Sequence, residues 1–454
     1  MKILFLYPNA GSQLGFNYGI AHLSAVLKQA GHDVALWQLC DDIEPLPFEE
    51  QFISRLRRES ADIIGFSVVT NQWPYAKKLA AWAREATEVP LVCGGIHTMA
   101  AAEEILQSRV FDFIIRGEAE EAFEEFVDKL SQSQDPREIK NLGFLQNGKL
   151  RLNPLRPLPD LKKLPFKDYD IFDFQKIIDA KNGWTGLMAS RGCPFSCTYC
   201  FNHQFVSQYR EDLQCSFKGL NYIRHFSIEQ LMSEIEYLQG HYQNISMFIL
   251  DDDLFTFYRP YVEQFCDGYK SISTLPFVVN AHVGFFDKKR ALCLADANCS
   301  IVKFGVESGS ERIRRRIDPD DGERLARLRA HAVGCDHCAG GGELLEPVLA
   351  FAHTLPAADR AREVWRTLLL LAALLEQVFD GLHHQIDRPL PLVLLFRILG
   401  RGLLAGGLLG IGLLRRALAP RPSGLFTVAH QVVVIDEFVA AGHQQVRRGL
   451  LYPD

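Results

Sequence analysis

Residues 190–201 read SRGCPFSCTYCF and place three cysteines, Cys193, Cys197 and Cys200, within eight positions. Thiolates are soft ligands, so this set suits zinc or an iron–sulfur centre. A structural zinc site needs four protein ligands, and His203 would have to supply the fourth. Three thiolates suffice for a four-iron cluster, in which one iron stays open to another molecule. We favour the cluster because no second ligand pair follows at zinc-finger spacing.

The composition of the whole chain is that of a globular protein. Of its 454 residues, 48% are hydrophobic and 23% are charged, and the length suggests about three domains. The net charge of −6 gives no basic surface of the kind that binds nucleic acid. Eleven cysteines, an odd number, do not favour a disulfide-bonded secreted domain. The first apolar run ends at Pro8, too early for a signal peptide, so we expect a cytoplasmic protein.

The first 130 residues alternate short apolar runs with amphipathic stretches, a pattern typical of βα units. The runs are residues 3–7, 34–39, 63–69, 89–93 and 111–115. Five such units predict a doubly wound parallel sheet, which binds ligands at the carboxyl ends of its strands. Loops at that edge are rich in glycine and polar residues, among them Pro8, Ser67, Gly94, Gly95, His97, Gly117 and Glu118. GxGxxG and GxxxxGK[ST] are both absent, so a dinucleotide site and a P-loop have no support.

The middle of the chain predicts a hairpin, a linker and then a second α/β domain. Residues 141–153 carry Asn147-Gly148 at a hairpin turn, and residues 154–170 are rich in proline and charge. Strands are expected at residues 185–189, 246–250, 276–281 and 300–306, with a capping box at Ser227 before one of the helices. Polar residues at the strand ends predict a site at the mouth of a barrel: Asp251, Asp252, Asp253, Asn280, Glu307 and Ser308.

The CxxxCxxC run, with an aromatic residue before its last cysteine, resembles the motif of the radical S-adenosylmethionine (SAM) enzymes. The five-unit domain ahead of it resembles the cobalamin-binding domain of the cobalamin-dependent class of these enzymes. The resemblance covers about residues 1–317. It implies a Rossmann-like cobalamin-binding domain over residues 1–140, a hairpin and linker over 141–182, and a partial (β/α) barrel over 183–317. The implied cofactors are a 4Fe-4S cluster, SAM and cobalamin.

The resemblance also implies roles for single residues. Cys193, Cys197 and Cys200 would bind the cluster, and Tyr199 would flank the adenine of SAM. Asp251, Asp252 and Asp253 would lie by its amino group, and Asn280, Glu307 and Ser308 by its ribose and methionine portions. A solvated loop or a helix N-terminus explains the three aspartates equally well.

Cobalamin would be held by the loops at 8–19, 67–71, 94–98 and 117–120. An axial histidine is not expected because Asp-x-His-x-x-Gly is absent, so His97 is expected to be a hydrogen-bonding or structural residue.

By the same resemblance, the expected activity is reductive cleavage of SAM to a 5′-deoxyadenosyl radical, followed by methylation of an unactivated carbon. An anaerobic radical cyclase or oxidoreductase, a non-catalytic cobalamin or iron–sulfur binding protein, and an inactive remnant are the alternatives. The implied partners are an electron donor such as flavodoxin or ferredoxin and a small-molecule or lipid-like substrate.

The composition changes abruptly after residue 317. The last lysine is Lys303, the last asparagine is Asn298, and about a fifth of residues 318–454 are leucine. A divergent, mainly helical domain and out-of-frame translation both remain open, and the loss of lysine and asparagine favours the second. The CxxC at 335–338 is not expected to bind metal, and the apolar run at 402–414 is short of the roughly 20 residues that span a bilayer. A membrane contact is therefore not favoured.

If residues 318–454 are out of frame, DNA after codon 317 should encode the missing barrel strands in another frame. The chain should then express poorly, because an open sheet edge invites aggregation. Translation of that DNA in every frame checks this prediction. Absence of such strands from all frames, together with a soluble, protease-resistant C-terminal fragment, would show a genuine divergent domain.

Overall fold

The computed structural model describes residues 1–11, 14–305, 316–317 and 432–434. All of these residues belong to one compact unit of the chain. Glu307, Ser308, the CxxC at 335–338 and the apolar run at 402–414 lie outside the described residues. Within the described part, no helix has both the length and the apolarity needed to cross a membrane.

The first sheet has the doubly wound parallel core that the apolar runs predicted. Its strands lie in the order β2-β1-β3-β4-β5-β6-β7. They are β1 Lys2–Pro8, β2 Asp33–Leu39, β3 Ile63–Ser67, β4 Leu91–Gly94, β5 Phe113–Ile115, β6 Leu142–Gln146 and β7 Lys149–Leu152. The helices are α1 Tyr18–Gln29, α2 Glu49–Glu59, α3 Trp73–Ala86, α4 His97–Ala100, α5 Ala102–Gln107 and α6 Glu120–Ser131. The fourth strand begins only after Pro90, which has no N–H to donate.

The central strands are apolar throughout because both faces of the sheet are covered. Ile3, Leu4 and Leu6 of β1 are all fully buried, although successive side chains of a strand point to opposite faces. Two separate clusters of buried apolar side chains pack on these faces. The carboxyl edge of the sheet is therefore fixed by a rigid core, which is what a binding site built on its loops requires.

The predicted hairpin continues the first sheet. Asn147 and Gly148 both have positive φ angles, 52° and 75°, as a two-residue type I′ turn requires. The first strand of the hairpin, β6, pairs antiparallel with β5, and β7 pairs with β6. The hairpin thus covers the edge of the parallel sheet.

The second sheet is an open row of parallel strands, as expected of a partial barrel. Its strands are β8 Trp184–Leu187, β11 Met247–Leu250, β12 Phe277–Ala281 and β13 Cys299–Phe304, and β14 Val432–Val434 pairs antiparallel with β13. A separate ribbon pairs β9 Ser190–Arg191 with β10 Arg224–His225. The helices are α7 Phe174–Ala180, α8 Asn202–Leu213, α9 Phe217–Leu220, α10 Ile228–His241, α11 Arg259–Ile272 and α12 Lys288–Asp296. Short 3₁₀ turns lie at Thr70–Gln72, Leu161–Lys163 and Val283–Phe285.

The proline-rich linker packs tightly between the two sheets. The Tyr169 ring is buried and stacks on Phe16 at 4.7 Å, with the two rings 5° from parallel. Lys167 Nζ lies 2.5 Å from Glu234 Oε2, and the Tyr169 hydroxyl donates to the same carboxylate. Burying both partners of this ion pair makes loss of either one costly. The linker therefore fixes the second sheet against the first.

Replacing Gly95 by alanine should lower the free energy of unfolding by about 2 kcal/mol or more. Gly95 has a φ of +87°, and an added Cβ would lie 2.5 Å from the Val68 carbonyl oxygen. Gly94→Ala is the matched control, because a Cβ there meets its nearest atom, the Phe66 carbonyl oxygen, at 3.6 Å. Urea midpoints from tryptophan fluorescence measure both, and equal midpoints would contradict this account.

Candidate functional site

A cavity of about 270 Å³ opens at the carboxyl edge of the first sheet. Five of the residues predicted from the loops line it: Ser67, Gly94, Gly95, Gly117 and Glu118. It also reaches inward to Phe5 and Gly65 in the middle of their strands, where a Cβ on Gly65 would meet the Phe5 ring at only 3.0 Å. The glycine-lined mouth and this inner space fit a bulky ligand with a part that enters the domain core.

Two predicted contacts, Pro8 and His97, are not among the residues that line this cavity. The His97 side chain is buried, its ring centroid is 5.1 Å from that of Trp73, and its Nδ1 lies 3.2 Å from Thr70 Oγ1. Burial lowers the pKa of His97, which keeps the ring neutral. These contacts are those of a histidine that supports the loop after β4.

The loop after β5 is joined to the second domain by buried and partly buried ion pairs. Glu118 Oε2 lies 2.7 Å from Arg191 NH1 and 3.1 Å from Arg224 NH1, and Glu118 Oε1 accepts from Arg224 NH2. Glu120 Oε1 lies 2.8 Å from Arg191 NH2. Burial alone would raise the pKa of Glu118, but the two guanidinium groups bring it below its ordinary value. Glu118, Glu120, Arg191 and Arg224 form what we call the Glu–Arg network.

The cysteine loop begins directly after β9. Gly192 has a φ of +99°, and a Cβ there would overlap the Tyr222 carbonyl oxygen. Phe195 stacks on His282 with ring centroids 4.1 Å apart, which packs the loop against the end of β12. Burial raises the pKa of the Cys193 thiol, and the charges of Asp253 and the two other cysteines add to this effect. The three sulfur atoms are thus electrostatic neighbours.

The soft donor set of this loop fits an iron–sulfur cluster. Among the described residues, no three or more His, Cys, Asp or Glu side chains are grouped so that they could hold a metal ion. The three cysteines are soft donors that suit iron–sulfur ligation, and a zinc site would need His203 as its fourth ligand. The Nδ1 atom of His203 lies 2.5 Å from the Cys200 carbonyl oxygen, the distance of a hydrogen bond.

The three aspartates after β11 have three different environments. Asp252 is buried, and its carboxylate accepts hydrogen bonds from Ser190 Oγ and from the Ala189 backbone N–H at 3.1 Å. Burial raises its pKa to about 7. Asp253 is exposed and accepts from Asn202 Nδ2 at 3.0 Å, on the helix that follows the cysteines. Only Asp251 and Asp253 are therefore accessible to a ligand.

Asp251 faces the first domain. Its Oδ2 accepts a 2.6 Å hydrogen bond from the hydroxyl of Tyr18, which also lines the cavity. Gly186 makes this contact possible, because a Cβ there would overlap both the Asp251 carboxylate and the Tyr18 hydroxyl. Burial raises the pKa of Tyr18 well above its ordinary value, so Tyr18 is the donor in this bond.

The remaining predicted residues of the barrel take separate positions. Tyr199 is 51% exposed. Asn280 donates through Nδ2 to the Asp252 backbone carbonyl at 2.8 Å, so it supports the aspartate loop from β12. Glu307 and Ser308 lie outside the described residues.

Sequence reasoning gave no individual role to four residues that join the two domains, although two of them lie in the predicted loops 8–19 and 117–120: Tyr18, Glu120, Arg191 and Arg224. Arg191 and Glu120 stand beside motif residues, so proximity to the motifs was a signal for them. Arg224 and Tyr18 carry no such signal. Their partners are 106 and 233 positions away in the sequence.

Two family models match the chain over the two regions just described. A B12 binding domain matches residues 12–127, and the Radical SAM superfamily matches residues 187–346. Together they cover more than half of the sequence. The chain therefore belongs to the radical SAM proteins that carry a cobalamin-binding domain, the family that the cysteine motif and the first domain resemble. The cofactors of this class are cobalamin, SAM and a 4Fe-4S cluster.

Individual relatives match most of the same region. An uncharacterized methyltransferase of Pyrococcus horikoshii is 28% identical over 326 residues, or 69% of this chain and 67% of that protein. The anaerobic magnesium-protoporphyrin IX monomethyl ester cyclase of Rubrivivax gelatinosus is 25% identical over 59% of this chain, which spans only 48% of the cyclase. The structure of the radical SAM methyltransferase TsrM from Kitasatospora setae, with tryptophan and a SAM analogue bound, has a TM-score of 0.58 at 16% identity. The match covers 73% of this chain and 65% of the TsrM chain. This last likeness shows the fold.

Stability should depend on pH through Asp252. Its pKa is about 7 in the folded chain and its ordinary value is 3.8, so folding favours the protonated form. The contribution of the protonated Asp252 to the stability of the folded chain is complete below pH 3.8 and is lost as the pH rises through about 7. Asp252→Asn keeps an oxygen acceptor but cannot ionise. The free energy of unfolding of the wild type should fall by roughly 2–3 kcal/mol between pH 5 and pH 8, and this fall should be absent in the variant.

Urea unfolding at pH 5 and pH 8 measures this loss. The exposed neighbour gives the control, because Asp253→Asn should keep the pH dependence of the wild type. An Asp252→Asn variant with unchanged pH dependence would show that another group carries the effect.

Proposed function

We propose that this protein is a cobalamin-dependent radical SAM methyltransferase that acts at an unactivated carbon of a small-molecule or lipid-like substrate. One observation carries the proposal. Glu118 lines the cavity of the cobalamin-binding domain and is paired with Arg191. Arg191 stands two residues before the first cysteine of the cysteine loop, which we also call the cluster loop. The residues that would hold the two cofactors are thereby brought together in one compact unit. The methyltransferase from Pyrococcus horikoshii supports the choice of reaction.

The residues of the cysteine loop fit the role of cluster ligands. Cys193, Cys197 and Cys200 would bind three irons and leave the fourth for the amino and carboxylate groups of SAM. When bound, the cluster supplies the electron that cleaves SAM, and cobalamin supplies the methyl group for transfer. An electron donor such as flavodoxin or ferredoxin would reduce the cluster.

The protein's own side chains orient the reactants and exclude water. Asp253 stands beside the cysteine loop, where its carboxylate can accept from the SAM amino group. Asp252 instead holds the backbone of Ala189 and Ser190, from which the cluster loop starts. The stacked rings of Phe195 and His282 cover one side of that loop. Tyr199, whose side chain is exposed, would flank the adenine.

An anaerobic radical cyclase is the second candidate. It is favoured by the similarity of this chain to the cyclase of Rubrivivax gelatinosus. The two functions share the cluster, SAM and the cobalamin-binding domain, and they differ in the fate of the substrate. Mass spectrometry of the product separates them, because methyl transfer adds one carbon and cyclisation adds none.

The test is anaerobic reconstitution with iron and sulfide, followed by incubation with SAM, dithionite and hydroxocobalamin. The wild type should hold four irons, bind the corrinoid and release 5′-deoxyadenosine. Cys197→Ala should lose the brown absorbance and reduce 5′-deoxyadenosine at least a hundredfold, because two thiolates do not retain the cluster. Cys215→Ala is the matched control, since Cys215 is also a partly exposed free cysteine.

Two outcomes would contradict the proposal. Four irons retained in Cys197→Ala would remove the cysteine loop as the cluster site. A wild type that holds the cluster and the corrinoid but releases no 5′-deoxyadenosine would instead be a binding protein.

A further inference from the structure

Glu120 is a buried carboxylate with only one of its oxygens in use. Its side chain is 4% exposed, and Oε1 is paired with Arg191 NH2 at 2.8 Å. Oε2 is also buried, and no hydrogen-bond partner for it exists in the part of the chain that the structure describes. A buried acceptor without a donor costs free energy, and the cost is larger when the group is charged. This atom therefore lacks a donor among the described residues, and a bound ligand can supply one.

The surroundings of Glu120 indicate what supplies that donor. Glu120 lines the cavity at the carboxyl edge of the first sheet, together with Gly117, Glu118 and Arg191. The two arginines of the network are already paired with carboxylates, so a further anionic ligand would gain little there. A neutral ligand with N–H groups, such as the primary amides on the rim of a corrin ring, suits a carboxylate oxygen.

Arg191 links this carboxylate to the cluster loop. Arg191 is one of the two residues of β9, and it stands two positions before Cys193. Its cross-strand partner is Arg224, and Glu118 accepts from both. Gly192, between Arg191 and Cys193, is held against the Tyr222 backbone with no space for a side chain. A shift of the Arg191 guanidinium is thus passed to Cys193 over a short and stiff connection.

We propose that Glu120 is the residue through which a corrinoid in the cavity acts on the cluster loop. Oε2 accepts an amide N–H of the corrinoid, while Oε1 holds Arg191 and so positions Cys193. Occupancy of the cavity then changes the affinity of the cluster for SAM, and by reciprocity SAM changes the affinity for the corrinoid. The inference rests on the proposed function, because it requires both cofactors to bind.

The experiment measures the dissociation constant of SAM on the reconstituted wild type, with and without saturating hydroxocobalamin. We expect the two values to differ at least fivefold. Glu120→Gln keeps one oxygen for Arg191 but replaces the other with an amide that cannot accept. This variant should bind hydroxocobalamin about tenfold more weakly, and its SAM affinity should depend on the corrinoid by less than twofold.

Two further variants separate a role in coupling from a role in folding. Glu121→Gln, on the same helix but with an exposed carboxylate, should keep the wild-type values. Arg191→Lys leaves Glu120 intact but removes the guanidinium group, whose two nitrogens contact Glu118 and Glu120. Because Arg191 lines the cavity, this variant should bind hydroxocobalamin more weakly but still measurably, and it should lose the coupling, a pattern that misfolding does not produce.

Three results overturn the inference. One is a wild type that binds both molecules with independent affinities, which leaves the proposed function intact. Another is a Glu120→Gln variant with wild-type corrinoid affinity and wild-type coupling. Failure of the wild type to bind hydroxocobalamin at all would overturn the proposed function together with the inference.

Discussion

The architecture depends on two arginines that pair with two glutamates, largely shielded from water, where the domains meet. Arg191 and Arg224 come from the ribbon beside the barrel, Glu118 comes from the loop after β5, and Glu120 is the first residue of α6. Removing four charged groups from water is expensive, so this network adds little net stability compared with apolar packing. The network instead favours this arrangement of the domains, because an arrangement that left any one of the charges unpaired would cost much more free energy. The docking in this structure pairs each of the four groups with at least one opposite charge, and it places the cavity next to the cysteine loop.

A second contact between the domains is a hydrogen bond that is possible only because one residue beside it, a glycine, has no side chain. Tyr18 donates to Asp251 across the interface, and Gly186 leaves the space in which the two groups meet. Asp252, the next residue, is turned inward to hold the start of the cluster loop, and Asp253 is turned outward beside it. Consecutive residues of a loop point in different directions, so three identical carboxylates acquire three separate roles. The position of each one relative to the strand end decides which role it takes.

Much of the fold could be predicted because its signals are local. Apolar runs of strand length, Asn147-Gly148 and the Ser227 capping box each depend on a few neighbouring residues, and the structure has the strands, the turn and the cap they predict. Within the site, Gly94, Gly95 and Gly117 could be placed at the cavity because strand ends share one edge of a parallel sheet. Asp252 could not be separated from its neighbours, since burial depends on what packs above the loop. Arg224 could not be found at all, because no pattern marks a partner 106 positions away.

The sequence by itself determined the two α/β domains, their order and the soft ligand set of the cysteine loop. These properties follow from hydrophobic periodicity, turn residues and thiol chemistry, which act over a few positions. The tertiary structure alone decided which charges are buried, which aspartates stay accessible and which loop of the first domain touches the cluster loop. Those outcomes depend on long-range packing, where the cost of burying a charge is met by a partner from another part of the chain. For this reason Glu118 stands out in the sequence as a residue at a strand end, and only in the folded chain as the partner of two arginines.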